Sequence, residues 1–287
     1  MFRLYLSPYG CRVCAMTNLK LIIEPDAGCP DAAEVLVSGK VCQKDYVFLL
    51  DTGASASCIK YDAFTSQFPA AGRHGREGMF SGSAQDVIIV PEIKFGDLVK
   101  KDFRLTRAGP EAAPARNLLG ADFLKDYCCH FDFGAGDLVL EEEHSSASLD
   151  RELILDDRAH PFIRVEVDGS AIVSAFDTGA GLTLVALGFI KTHEHLFREA
   201  GQADATDSVG ASAGIRMFRM QPFHIARLAI PEQLVIGLDL AKLSARTKFR
   251  VDMVIGYNTM SLADWVLDFP HRRWSVSSKP MPAGSSS

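Results

Sequence analysis

The chain has 287 residues, a length that at roughly 150 residues per domain accommodates two ordinary domains with cores of their own. Hydrophobic residues make up 47% and charged residues 23%, which excludes general disorder and a fibrous protein. Thirty Lys and Arg stand against thirty-six Asp and Glu, and a net charge of −6 offers no footprint for a phosphate backbone, so nucleic acid is not an expected partner.

The first segment, Met1 to Ile23, mixes Arg3, Arg12 and Lys20 with Pro8, Gly10 and Asn18, and lacks the apolar stretch of a secretory leader. No run anywhere approaches the roughly 18–20 apolar residues that cross a bilayer, so no membrane association is expected. Seven cysteines, an odd number in a chain too large to need staples, suit reduced thiols and a cytoplasmic location. Cys11 and Cys14 have the spacing of half a zinc site, but no second pair completes it, and no metal is expected. Residues 1–33 form an N-terminal extension that is open to three readings: a propeptide, an added strand or a misplaced start.

A first unit is expected over 34–143. Glu34 to Lys40 leads through a short insertion into Tyr46-Val47-Phe48-Leu49-Leu50, an apolar strand that ends in Asp51-Thr52-Gly53-Ala54. Tyr61 to Phe68 is a helix candidate, and Asp86-Val87-Ile88-Ile89-Val90 is a strand. Leu118-Leu119-Gly120 precedes a helix candidate at Ala121 to Tyr127, and Cys128-Cys129 beside it reads as core packing. Glu141 to Ser148 has the charge and small polar residues of an exposed connection, and the linker is placed at 144–156.

The second unit, 157–278, repeats the first. Phe162 to Asp168 alternates apolar and polar, turns at Asp168-Gly169, and runs through Ile172 to Phe176 into Asp177-Thr178-Gly179-Ala180. Helix candidates follow at Leu187 to Ala200 and Leu238 to Lys248. His193 and His195 then fall two apart on different faces, which suits a solvated surface and not a shared metal. Val254-Ile255-Gly256 matches Leu118-Leu119-Gly120, and Asp268-Phe269 matches Asp132-Phe133, with 12 residues from the glycine to the aspartate in both copies. From Asp51 to Gly120 is 69 residues and from Asp177 to Gly256 is 79, so the second copy carries about ten extra residues in its loops. The tail, 279–287, is expected to be disordered.

One Asp-Thr-Gly is an ordinary strand end, but two in matched contexts, each with an apolar-apolar-Gly partner downstream, are not. In this the chain resembles the aspartic peptidases. The pieces Leu118 to Leu124 and Val254 to Met260 are more similar to the retroviral-type branch than to pepsin, and the resemblance spans about Ala33 to Val276. It implies an all-β, bilobal acid-protease fold of two homologous, barrel-like lobes with a few short helices. It also implies an endopeptidase that cleaves an extended peptide or protein substrate without a cofactor, as a monomer, with a dimer left open.

The resemblance makes Asp51 and Asp177 a catalytic dyad. Two like charges about 3 Å apart cannot both ionise, so one keeps its proton and acts as acid while the other takes a proton from water. The pair titrates as a unit, and the sequence leaves open which member is the base. Thr52, Gly53, Thr178 and Gly179 support the two loops, and Leu119, Gly120, Ile255 and Gly256 pack beside them. Pepsin-like chains usually carry a hydroxyl after Asp-Thr-Gly that donates to the carboxylate. Here Ala54 and Ala180 lack it, which favours a weakly acidic to near-neutral optimum. Gly181 replaces the Ser55 of the first copy and loosens the second loop. Ser55 and Ser57 have no evident histidine partner, against a serine hydrolase. Glycine-bearing hairpins that cover the substrate are expected at Met79, Phe80, Ser81 and Gly82 and at Val209, Gly210 and Ala211, either as two flaps or as one flap and a relic. A non-catalytic peptide-binding or scaffold protein that keeps the fold is the alternative reading.

Overall fold

The computed structural model describes residues 16–77, 82–110, 116–142, 149–206 and 212–278. They form a mostly β protein with four short α-helices. The first half runs β1 (Met16–Pro25), β2 (Ala33–Val41), β3 (Lys44–Leu50), β4 (Cys58–Ile59), β5 (Gly72–Glu77), β6 (Gly82–Phe95), β7 (Leu98–Arg107), β8 (Leu118–Leu119), α1 (Ala121–Leu124), β9 (Cys128–Asp132) and β10 (Asp137–Glu141). The second half begins with β11 (Arg151–Glu152), β12 (Ile154–Leu155), β13 (Pro161–Val167), β14 (Ser170–Phe176), β15 (Leu184–Ala186), α2 (Leu187–Thr192), β16 (Phe197–Thr206) and β17 (Ser212–Met220). It ends with β18 (Phe223–Ile225), β19 (Leu228–Ile230), β20 (Gln233–Leu238), α3 (Ala241–Arg246), β21 (Met253–Ile255), α4 (Tyr257–Met260), β22 (Ala263–Asp268) and β23 (Arg273–Ser278).

The sequence repeat is a repeat of strand pairing. β2 and β3 form a hairpin, as do β13 and β14. The second turns on two residues, Asp168 and Gly169, both at positive φ, the conformation that makes Asp-Gly a hairpin turn. β3 then lies parallel to β8, and β14 parallel to β21. β4 runs antiparallel to β8 and parallel to β7, and β15 stands in the same relation to β21 and β20. The last three residues of β3 and of β14 are all buried, as a strand enclosed by neighbours requires. Thr106 and Leu118, the partners of Cys58, are 12 residues apart, and Ile236 and Val254, the partners of Leu184, are 18 apart. Six of the ten extra residues therefore lie between β20 and β21, where α3 stands.

The halves are joined by hydrogen bonds. β9 pairs antiparallel with β22, from Asp132 opposite Asp264 to Cys128 opposite Asp268. β10 and β1 extend this sheet on one side, and β23 and β11 on the other. Above it one apolar cluster draws on both halves: Phe131 lies 5.9 Å from Phe176, Phe176 lies 5.2 Å from Trp265, and Trp265 stacks on Trp274 at 6.2 Å.

Several local expectations change. Of the extension 1–33, β1 is a strand between β2 and β10, with Thr17, Leu19 and Leu21 buried; this is the added-strand reading. The segment expected as a linker contains β11 and β12, which pair with β23 and β13. The helix expected to reach Ala200 stops at Thr192, because Phe197 onward pairs with β17. Tyr61 to Phe68 holds only a 3-10 turn at Thr65–Gln67. The tail 279–287 lies outside the described residues.

Candidate active site

Asp51 follows β3 and Asp177 follows β14, so each emerges from a strand whose backbone is already fixed by its parallel neighbour. The Asp51 N–H donates to the Leu119 carbonyl at 2.9 Å, and the Asp177 N–H to that of Ile255 at 3.1 Å. Each loop closes on itself: the Ala54 N–H reaches the Asp51 carbonyl at 3.2 Å, and the Ala180 N–H that of Asp177 at 3.1 Å. Each is then pinned to the following helix, by Ala121 N–H to the Ala54 carbonyl and Tyr257 N–H to the Ala180 carbonyl, both at 2.8 Å. Gly120 and Gly256 allow this approach, since a Cβ on them would meet the Ala54 carbonyl at 2.7 Å and the Leu182 backbone at 2.4 Å.

The threonines lock the loops to each other. The Thr52 hydroxyl donates to the Phe176 carbonyl at 2.6 Å and accepts from the Thr178 N–H at 3.1 Å. The Thr178 hydroxyl donates to the Leu50 carbonyl at 2.7 Å and accepts from the Thr52 N–H at 3.1 Å. Both side chains are buried, and all four bonds cross between the halves. The glycines then bring each backbone against the opposite acid. A Cβ on Gly53 would stand 2.5 Å from Asp177 Oδ2, and one on Gly179 would stand 2.7 Å from Asp51 Cγ. No other residue type fits.

The two carboxyl groups meet in a side-chain hydrogen bond between Asp51 and Asp177. Burial pushes the Asp177 carboxyl above its ordinary range; the Gly179 N–H at 2.9 Å, the bond from Asp51, the charge of His160 and the Gly53 N–H pull it back only in part. Two acids in hydrogen-bond contact, away from water, share a proton because the doubly charged state is too costly. Ala54 and Ala180 carry no hydroxyl, and both pack on apolar clusters.

A second layer of residues escaped the sequence reading. The Ser57 N–H and hydroxyl donate to Asp122 Oδ1 at 2.9 and 2.7 Å, and the Gly120 N–H donates to the Ser57 hydroxyl at 3.0 Å. The other half substitutes Thr183 for Ser57 and Asn258 for Asp122. Thr183 N–H and hydroxyl donate to Asn258 Oδ1 at 2.8 and 3.0 Å, and Gly256 N–H to the Thr183 hydroxyl at 3.1 Å. Ser57 and Thr183 each stand six residues after their aspartate, and Asp122 and Asn258 two after their glycine, a spacing that the aligned repeat would have shown.

Of the residues expected on the flaps, Gly82 opens β6, opposite Glu77 of β5. Met79, Phe80, Ser81, Val209, Gly210 and Ala211 lie outside the described residues, between the paired ends of β5 and β6 and of β16 and β17. His193 stacks on Phe189 at 4.0 Å, and His195 bonds Asp168 at 3.0 Å. Among the described residues, Cys29, Cys42, Cys58, Cys128 and Cys129 form no disulfide. Among the described residues no three His, Cys, Asp or Glu side chains are placed to hold a metal, and no helix is long and apolar enough to cross a membrane. An open depression of about 680 Å³ lies between α2 and α3, lined by Leu187, Ala241 and Phe249 among others and not by the two aspartates.

No protein-family model matches the chain, and no curated protein matches it.

Proposed function

We propose that the two repeats are the lobes of an acid-protease fold and that the protein is an aspartic endopeptidase. The observation that carries this is the hydrogen bond between the Asp51 and Asp177 carboxyls, held by loops that brace and approach each other reciprocally. A shared proton gives the pair both functions that amide hydrolysis needs. The ionised member takes a proton from water as its oxygen bonds to the carbonyl carbon, while the protonated member gives its proton to the carbonyl oxygen. Collapse of the gem-diol breaks the C–N bond; the proton taken from water passes to the leaving nitrogen, and a diol proton returns to the other carboxyl. Water is the nucleophile, and no acyl-enzyme forms. The hairpins β5–β6 and β16–β17 supply edges along which an extended peptide adds as a strand.

The test compares the protein with Asp51→Asn and Asp177→Asn on an unfolded protein mixture across pH. Each substitution removes the shared proton, and cleavage should fall by about 10²-fold or more. With no hydroxyl donors at Ala54 and Ala180 and with the pair buried, activity should peak at weakly acidic to near-neutral pH. A peak at about pH 2–3, between the two ionisations of the pepsin pair, contradicts that part of the reading. Equal cleavage by all three proteins rules out the peptidase, and peptide binding without cleavage by any of them supports a scaffold.

A further inference from the structure

The strands that carry the two aspartates have an inner and an outer face. Phe48 and Leu50 of β3, and Phe176 of β14, enter the large core cluster, whereas Leu49 and Ala175 lie on the opposite face in clusters of their own. The parallel ladders run on to the aspartates, whose N–H groups donate to the Leu119 and Ile255 carbonyls. Alternation therefore places Asp51 on the side of Leu49 and Asp177 on the side of Ala175. An apolar row crosses the sheet beside each: Leu36, Leu49, Leu118 and Cys58 in the first half, and Phe162, Ala175, Val254 and Leu184 in the second.

The rows differ in what adjoins them. Among the described residues the first cluster adds only Ala108 to the buried side chains of its row. The second reaches Leu240 and Val251, the two ends of the segment that carries α3, and Leu243 and Phe249 pack on it. The Phe249 ring meets that of Phe162 at 4.8 Å. The segment is tied to itself: the Ser244 hydroxyl accepts from the Val251 N–H at 3.0 Å and donates to its carbonyl at 3.3 Å, and the Thr247 hydroxyl donates to the Phe249 carbonyl at 2.6 Å. Between α3 and α2 lies the depression of about 680 Å³. Leu187, Leu240, Phe249 and Val251 give it apolar surface, and at its inner end Asp252, with its side chain 10% exposed, is taken up by Arg250 at 2.6 Å. That end is also lined by Ala186, whose N–H donates to the Asp252 carbonyl at 2.9 Å, and the Asp252 N–H donates to the Val173 carbonyl at 3.3 Å. Val173 packs on the same cluster as Ala175, four residues before Asp177. At about 3.3 Å per residue it lies roughly 13 Å from the aspartate, the reach of about four residues of an extended chain.

We propose that the depression between α2 and α3 is a substrate subsite that receives a large apolar side chain, such as phenylalanine or leucine, about four residues from the bond to be cut. Its apolar surface is continuous with the row beside Asp177, and its volume falls in the range of ligand sites, roughly 300–1,000 Å³. The connection from β7 to β8 in the first half is shorter by six residues, the length of α3, so the preference falls on one side of the bond only. The assignment to substrate rests on the peptidase reading; the affinity of the depression for an apolar side chain does not.

Ala241 and Ala245, one turn apart on α3, line the depression and are both exposed, so filling it from there leaves the core alone. The full chain, carrying ¹³C in its alanine methyl groups, is titrated by NMR with N-acetyl-L-phenylalaninamide. The probe should shift Ala186, Ala241 and Ala245 saturably and leave Ala54, in the other half, in place; N-acetylglycinamide should shift none of them. Ala245→Trp should abolish the response. Cleavage of a peptide mixture from a digested proteome, with the cuts located by mass spectrometry, then reads the substrate preference. Wild type should favour large apolar residues at one position about four from the cut. In Ala245→Trp that preference should vanish while the choice of residues at the cut bond stays, and kcat/KM for a favoured peptide should fall about tenfold. Ala245→Ser keeps the space and should behave as wild type. Methyl groups that do not respond to the probe, or a folded Ala245→Trp with the wild-type cleavage profile, overturn the proposal. A probe that binds as expected while wild type cleaves no peptide overturns the peptidase reading alone.

Discussion

Asp122 and Asn258 do the same work in the two halves, yet one of them can ionise. Burial raises the Asp122 carboxyl above its ordinary 3.8, against the Ser57 hydrogen bonds that favour its charge. A carboxyl whose pKa is higher in the folded state than in the unfolded one binds its proton more tightly when folded. Its contribution to stability is therefore complete below the ordinary value and lost as pH rises through the raised one. Asp122→Asn keeps an oxygen for the Ser57 donors, as Asn258 does for Thr183. The variant should be at least as stable as wild type at neutral pH, with a flatter dependence of urea midpoint on pH above 4. Asp122→Ala strands the buried Ser57 N–H and should cost about 1–3 kcal/mol. A steeper pH dependence in Asp122→Asn would show that the charged form is the one the fold favours. The sequence could not announce these residues singly. Ser57 and Asp122 are commonplace types, and what distinguishes them is that each has its partner 65 residues away. Asp51 and Asp177 were legible because each brought four residues of context and a second copy.

The order of strands was partly legible, and so was pairing across a short turn, as in β13–β14, but pairing between strands distant in the chain was not. β3 and β14 could be read because an apolar run ends in a fixed motif, and β13 because it alternates into an Asp-Gly turn. β1 alternates too, with Thr17, Leu19 and Leu21 inward and Asn18 and Lys20 outward. It lies outside the repeat, however, and one of its partners is β10, about 120 residues along the chain, which no local pattern reveals. The helix drawn through Leu187 to Ala200 failed for a related reason: Phe197-Arg198-Glu199 suits either period, and pairing with β17 decides the matter. If β1 is part of the core, truncating an inward side chain should cost what a core residue costs. Leu19→Ala should lower stability by about 2–5 kcal/mol, while Lys20→Ala, which removes an exposed side chain paired with Asp137, should change it by under about 1 kcal/mol. Chemical denaturation of the two variants checks this. Equal midpoints would mean that β1 is a detachable extension.

Both halves depend on structure that belongs to neither. The sheet β1-β10-β9-β22-β23-β11 takes three strands from each half and joins them at β9–β22, the threonine bonds cross between them, and the cluster at Phe131, Phe176 and Trp265 takes its rings from each side. Separating the halves would open the β9–β22 edge, uncover those rings and break four buried hydrogen bonds. A chain of this length often unfolds in stages, domain by domain. Here a half-unfolded state would lose the β9–β22 pairing, the threonine bonds and the shared rings at once. Urea unfolding should therefore show a single transition, with the amides of β3 and β14 exchanging at one common opening free energy. Trp265→Ala removes a buried indole whose N–H donates to the Met260 carbonyl at 2.9 Å, and should cost about 3–5 kcal/mol. Trp265 lies in the second half, so the test is whether β3 of the first half loses protection in that variant by as much as β14 does. Loss confined to β14, or two resolved transitions in the wild type, would show two independent units in contact and would remove the rigidity that holds Asp51 and Asp177 together.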